Sequence, residues 1–487
     1  MTARAAPAPA PVLLVAVLLA AALATGQDGD PSQDLPAALA ISSQKIVCLD
    51  PGEETTFTLD SGERRTLRLL SVEEIRDSVV HLIRRALVRV AIDGREYELV
   101  CAPYVMPTAI AGLRVQADTS SGWVRLPKRV QFSLWDATHP IVETGRFGFP
   151  LRNYRLFSHA LQCTNEPVHL GHKDGDPEGQ VFYHNYGIDF AGYEGAEEVV
   201  SCTDGTVVCL RPPEDPFSIA IEDSTGLVWD YEHLAAFEPR LRAGVRVEKG
   251  EKLGLLGRTG PSGNFSHLHV GVYASRAHLE ADESARRLNL FPWMFAAYQS
   301  EHPKEVYAIA GPHQVALTGE KVFFDGGRSI STGACSVVST CWEFDDGQVV
   351  ETCEAEKTFT APGIYSAMLR VRTSSGAEDV DFCRVKIYTN GAVEPYLPAL
   401  FVTTTPTENV FAGEPVRFRA WLHTAEDQPF RIAFGDGRED EPCRSFEELT
   451  HVYREPGLKV VTATAKVGKL TVTHRQKVVV QPQRELR

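Results

Sequence analysis

The run from Val245 to Tyr273 constrains the fold more than any other stretch of the chain. It begins Val245-Arg246-Val247-Glu248-Lys249-Gly250-Glu251, continues through Gly257-Arg258-Thr259-Gly260, and ends in Ser266-His267-Leu268-His269-Val270-Gly271-Val272. The closing segment alternates, which is the period of a β-strand, where residues i and i+2 share a face. His267 and His269 therefore project together while Leu268 turns the other way, into a core. Thr259-Gly260-Pro261-Ser262-Gly263 ahead of them reads as a tight turn. A chain with 38 glycines and 30 prolines suits many short strands joined by such turns.

Two imidazoles on one face are a start of a metal or acid–base site, and upstream segments offer the rest. Tyr183-His184-Asn185-Tyr186-Gly187-Ile188-Asp189 holds a histidine and a carboxylate, and Tyr231-Glu232-His233-Leu234 holds another histidine on a strand-like segment. Hydrolytic zinc takes three nitrogen or oxygen ligands and keeps one position for water, whose pKa falls towards ~7. A nearby imidazole then accepts the proton or steadies the oxyanion.

This set resembles the LytM/lysostaphin-like zinc endopeptidases over residues 147 to 275. The resemblance implies an antiparallel-β peptidase domain, Zn2+ as cofactor, Asp189 and His269 as metal ligands, and His233 and His267 as the catalytic pair. It also implies peptide substrates of the kind found in peptidoglycan stems and cross-bridges. One position departs from the pattern: the first ligand of the family sits four residues before the aspartate, which is Asn185 here. His184 is one residue further out, so in a regular strand it faces away from Asp189. A bulge near Gly187 would bring it round, and His184 is taken as the third ligand. The alternative is a catalytically inactive member that serves as a binding, regulatory or adhesive surface protein.

The remaining sequence sets the context. At 487 residues the chain is too long for one core. Arg4 precedes an apolar run from Val12 to Ala24 that ends in the small-x-small pattern Ala22-Leu23-Ala24, so residues 1–24 read as a signal peptide and 25–43 as a linker. Residues 44–143 form an all-β accessory domain, with a hairpin turn at Asp93-Gly94. The peptidase domain spans 144–302 and closes on a helical run, Ala281 to Gln299, broken near Pro292. Residues 303–392 and 393–487 are two copies of one β-sandwich pattern: Trp342-Glu343-Phe344-Asp345-Asp346-Gly347 then Pro362-Gly363, and Ile432-Ala433-Phe434-Gly435-Asp436-Gly437 then Pro456-Gly457. Both resemble PKD domains, which implies contacts to surface glycans or proteins. The fold class is mainly β throughout.

A formal charge of −15 leaves no basic footprint for nucleic acid. No later apolar run reaches the ~18 residues of a membrane span, so the processed chain is expected to be secreted, periplasmic or held at the cell surface without entering the membrane. Export turns the ten cysteines into expected disulfides, with two staples among Cys335, Cys341, Cys353 and Cys383. His159, His169 and His172 read as structural or surface residues. Lys173-Asp174-Gly175-Asp176 reads as a solvated turn, Asn264-Phe265-Ser266 as a chance glycosylation sequon, and the acidic residues of 436–447 as a solvated face.

Overall fold

The computed structural model describes residues 44–484, apart from 124–125, 144, 159–162, 165, 173–179, 186, 213–216, 261, 263–264, 281–288, 334 and 390–396. The expected signal peptide and linker, His159, the Lys173–Asp176 turn and Asn264 lie outside the described residues. The architecture is mainly β, as the sequence predicts.

Residues 45–136 form two four-stranded antiparallel sheets. One holds β1 (Lys45–Leu49) and the other β2 (Glu54–Thr58), β3 (Arg64–Arg76), β4 (Ile83–Ile92) and β5 (Arg95–Cys101); β6 (Thr108–Ile110), β7 (Leu113–Ser120) and β8 (Val130–Asp136) complete the first, in the order β1-β8-β7-β6. Asp93 and Gly94 both take positive φ between β4 and β5 (49° and 79°), the geometry that a two-residue hairpin of this composition requires.

The next unit is built on one seven-stranded sheet. Its strands are β9 (Cys163–Thr164), β12 (Ile188–Ala191), β14 (Gly205–Arg211), β15 (Ser218–Asp223), β16 (Val228–Glu232), β18 (Arg246–Val247) and β20 (His267–Tyr273), ordered β18-β14-β15-β16-β20-β12-β9. A hairpin of β10 (Pro167–His172) and β11 (Gln180–His184) precedes β12, and β13 (Glu198–Val200), β17 (Leu234–Phe237) and β19 (Lys252–Leu256) make a small second sheet. Phe190 and Leu268 pair across β12 and β20 and enter the core almost wholly buried. Each burial stabilises the pair by about 1.5–3 kcal/mol, and together they force Asp189, His267 and His269 to the opposite face.

Two helices close the unit, α1 (Arg276–Glu280) and α2 (Phe291–Glu301). Of the helical run expected over 281–299, residues 281–288 lie outside the described residues; residues 289–290 are not helical, and α2 starts at Phe291 with Pro292 in its first turn, where the missing N–H costs no intrahelical bond and the fixed φ suits the helix start. No helix of the described residues is long and apolar enough to cross a membrane.

The two C-terminal sandwiches are not separate beads. The strand Gly363–Thr373 of the first runs parallel to Leu470–Gln481 of the second, pairing Gly363 with Thr471 and Ile364 with Val472, so one sheet continues through both. A second correction concerns the cysteines. Among the described residues the staples expected among Cys335, Cys341, Cys353 and Cys383 are not formed, and those four thiols are unbridged. The reason is placement. The Cys383 thiol is buried and donates to the Pro312 carbonyl at 3.1 Å, whereas Cys335 lies beside the Glu305 carboxylate. Cys101, Cys202 and Cys443 sit in three different cores.

Glu197, between β12 and β13, is 6% exposed, and burial lifts its carboxyl to about 8. The folded state thus holds a proton that the unfolded chain releases near 4.5. That stabilising proton uptake is fully present below about pH 4.5 and is lost as pH rises to about 8. Melting curves of Glu197→Gln are therefore expected to show a shallower fall of Tm between pH 5 and pH 8 than those of the parent.

Candidate active site

Register assembles the site. β12 and β20 run antiparallel with Asp189 directly opposite His269 and Ala191 opposite His267, while β16 on the other side sets Glu232 opposite His269. Directly opposed residues share a face, so the carboxylate meets both imidazoles. Asp189 Oδ1 lies 2.7 Å from His269 Nδ1 and 3.7 Å from His267 Nε2. His233 follows β16 at positive φ (64°), and this turn swings its ring to 4.5 Å from that of His267 and 6.4 Å from that of His269.

Backbone carbonyls fix the tautomers of two of the three histidines. His233 Nδ1 donates to Thr259 O and His267 Nδ1 to Phe265 O, both at 2.8 Å. A carbonyl only accepts, so each ring carries its proton on Nδ1 and leaves the Nε2 lone pair available. Burial drives His233 down to about 3, helped by the neighbouring charges of His267 and His269, and burial also lowers His267. His269 moves the other way: burial opposes its charge, but the bond to Asp189 and the field of that carboxylate raise it to about 9. Asp189 is held at about 2, because the fields of His267 and His269 and the bond from His269 outweigh its own burial. The site therefore ties Asp189 to His269 through a short bond, while burial disfavours the charged forms of His233 and His267.

Gly187 makes room for this packing. Its φ is +133°, and a Cβ there would stand 2.5 Å from Val270 O and 2.9 Å from Cε1 and Nε2 of His269. The bulge expected near Gly187 is not what joins the two segments: β11 ends at His184 and β12 begins at Ile188 in a different sheet. His184 is the last residue of β11, opposite Pro167; its side chain lies outside the described residues. Asn185 continues the hairpin by donating its N–H to Glu166 O at 2.9 Å, and its side chain is buried with Nδ2 unbonded.

Zinc is the ion that the resemblance implies, and the donor set can be tested against it. Asp189 and His269 are ligand types that zinc takes. Four residues before Asp189 stands Asn185, whose neutral amide is a poor zinc ligand, and among the described residues no group of three His, Cys, Asp or Glu side chains is placed to hold a metal ion. Two positions fit, and the third rests on the 184–185 segment.

Sequence reading missed what lies over the site. Phe265 stacks on His267 at 4.6 Å and 13°, and Phe401, from the second sandwich, stacks on Phe265 at 5.3 Å and 19°. Phe265 could have been found from its i−2 spacing to His267 on the same face. Phe401 carries no local signal. A cavity of about 220 Å3 opens beside these rings, between Asp189 and His267 on one wall and the sandwiches on the other. His169, read as structural, is buried and lines it along with His313 and His423.

Residues 183–281 match the family model Peptidase family M23, and residues 302–387 match that of the PKD domain. The chain thus carries an M23-type peptidase domain followed by a PKD domain. Among solved structures, it is similar to a putative glycyl-glycine endopeptidase LytM from Ruminococcus gnavus, at 22% identity over 32% of this chain and 61% of that one, with a TM-score of 0.22. It is also similar to the catalytic domain of the antimicrobial peptidase lysostaphin from Staphylococcus simulans, at 20% identity over 27% of this chain and 92% of that one, TM-score 0.19. Csd3 from Helicobacter pylori gives 20% identity over 47% and 49%, TM-score 0.22. The chain spans less than two thirds of the LytM structure it matches. A comparison with curated proteins gave no match.

Replacing Gly187 by alanine forces a Cβ against the Val270 carbonyl and the His269 ring at a φ that L residues rarely adopt. A loss of about 1–3 kcal/mol is expected, read by denaturant unfolding, with His269 displaced from Asp189.

Proposed function

We propose that this chain is an exported zinc-dependent endopeptidase that hydrolyses peptide bonds of the peptidoglycan stem or cross-bridge kind. The observation that carries the reading is the convergence of Asp189, His269, His267 and His233 from separate strands and turns into one buried cluster. Its support is the M23 match over the segment that contains all four. Localisation at the surface or outside the cell follows from the N-terminal apolar run and is part of the proposal.

Asp189 and His269 would hold the zinc, with a third donor from residues 184–185. When bound, zinc polarises the scissile carbonyl and makes water nucleophilic near neutral pH. The proton work belongs to His267 and His233. Each presents Nε2 as acceptor while a backbone carbonyl fixes the other nitrogen, so neither ring has to turn to take a proton from the attacking water. Having taken it, the imidazolium can donate to the leaving nitrogen or to the oxyanion.

A second reading is favoured by Asn185. With a neutral amide in the ligand register, the domain serves as a metal-free scaffold that binds peptide without cutting it. Metal analysis by mass spectrometry on the folded chain, together with hydrolysis of purified peptidoglycan, separates the two. The enzyme reading expects about one zinc per chain, lost in His269→Ala and Asp189→Ala with the circular dichroism unchanged. A zinc-free, inactive parent that gains zinc on Asn185→His would give the scaffold reading.

A further inference from the structure

We propose that the second C-terminal sandwich supplies a wall of the peptide pocket, with Phe401 acting as a positioning and specificity residue that seats an apolar side chain beside His267. The inference rests on the peptide-binding part of the proposed function and does not require hydrolysis.

A sandwich that served only as a spacer would show alternation, apolar towards its own core and polar towards water. The strand Ala399–Thr405 does not: its central residues are buried on both faces. Leu400 and Val402 enter the sandwich core, while Phe401 and Ala399 face outward and join Trp421, Ala191 and Phe265 in a cluster that spans the two units. The same outward face, at period two, places Ala399 and Phe401 along the cavity that also touches Asp189 and His267. His423, opposite Ala399 on the neighbouring strand, adds a buried Nδ1 with no hydrogen-bond partner.

The contact grips His267 from two sides. On one side run the stacked rings His267, Phe265 and Phe401. On the other, Gly257 O accepts from the His267 N–H at 3.0 Å. The next residue, Arg258, lies over Phe446 of the sandwich at 4.8 Å and pairs with Glu194 at 3.0 Å. Arg419 reaches the same Glu194 from the sandwich at 3.7 Å. Phe401 is thus the part of this interface that both fixes the ring behind His267 and bounds the cavity. Its mainly apolar lining, with a volume above the roughly 150 Å3 that takes a benzene ring in a packed core, suits a leucine-sized side chain.

The test uses the full processed chain and two tetrapeptides that differ at one residue, leucine against the near-isosteric asparagine, with binding followed by calorimetry. The parent is expected to prefer the leucine peptide about tenfold. Phe401→Ala should cut that preference to about threefold or less, whereas Phe446→Ala, in the same interface but away from the cavity, should keep it. The NMR shift of the His267 ring protons, set by the stacked Phe265, should move in Phe401→Ala and stay in Phe446→Ala. If the alanine variant does not fold, Phe401→Leu takes its place, with the same shift change and a partial loss of preference expected. No preference in the parent, no binding of either peptide, or equal behaviour of the two variants overturns the proposal. Discrimination without any cleavage of peptidoglycan leaves it standing and removes only the hydrolytic reading.

Discussion

The register between β12 and β20 is the constraint on which the site depends. Its facing is set by the core, through Phe190 opposite Leu268. Because side chains alternate along a strand, a slip of one residue would bury the histidines and expose those two hydrophobic side chains. The apolar pair thus holds Asp189 against His269 at 2.7 Å. The Tyr154 hydroxyl, buried beneath, adds a bond to the Ala191 carbonyl at 2.7 Å that anchors the end of β12.

A buried carboxylate among three imidazoles is an unstable arrangement unless charges are distributed unequally. Here the distribution is set by hydrogen bonds. His269 faces the carboxylate and holds a proton; His233 and His267 face carbonyls and stay neutral. His233 and His267 are thus each anchored through Nδ1, with Nε2 left on the side away from the backbone carbonyl. The same distribution explains why Gly187 is needed. With His269 drawn onto Asp189, its ring passes against the backbone of residue 187 and leaves no space for a side chain.

The C-terminal sandwiches extend this dependence outward. Their shared sheet joins them, and the outward face of the second sandwich's other sheet, with the turn at Phe446, packs on the loops that carry Phe265 and Arg258. The aromatic contacts between them are of the size that adds about 0.5–1.5 kcal/mol each beyond burial. Residues 130 or so positions apart in sequence therefore share a cavity wall, and the site belongs to the assembled chain rather than to the peptidase domain alone.

Much of this was legible in the sequence. The alternation around Leu268 placed His267 and His269 on one face, the Asp-Gly pair at 93–94 marked a hairpin, and the paired aromatic–Asp–Gly patterns marked two sandwiches; each depends on local period or turn chemistry, which neighbouring residues alone decide. Pro292 marked a helix boundary because proline disrupts a helix interior but suits its first turn, and α2 starts one residue before it. The cysteines were misread because export suggests pairing, whereas bridging needs sulphurs within reach, and reach is a property of the folded cores. Which carbonyl each imidazole would meet, and that Phe401 would stack on Phe265, were decided by the tertiary structure. Contacts between distant segments depend on how sheets pack, and no local pattern encodes that.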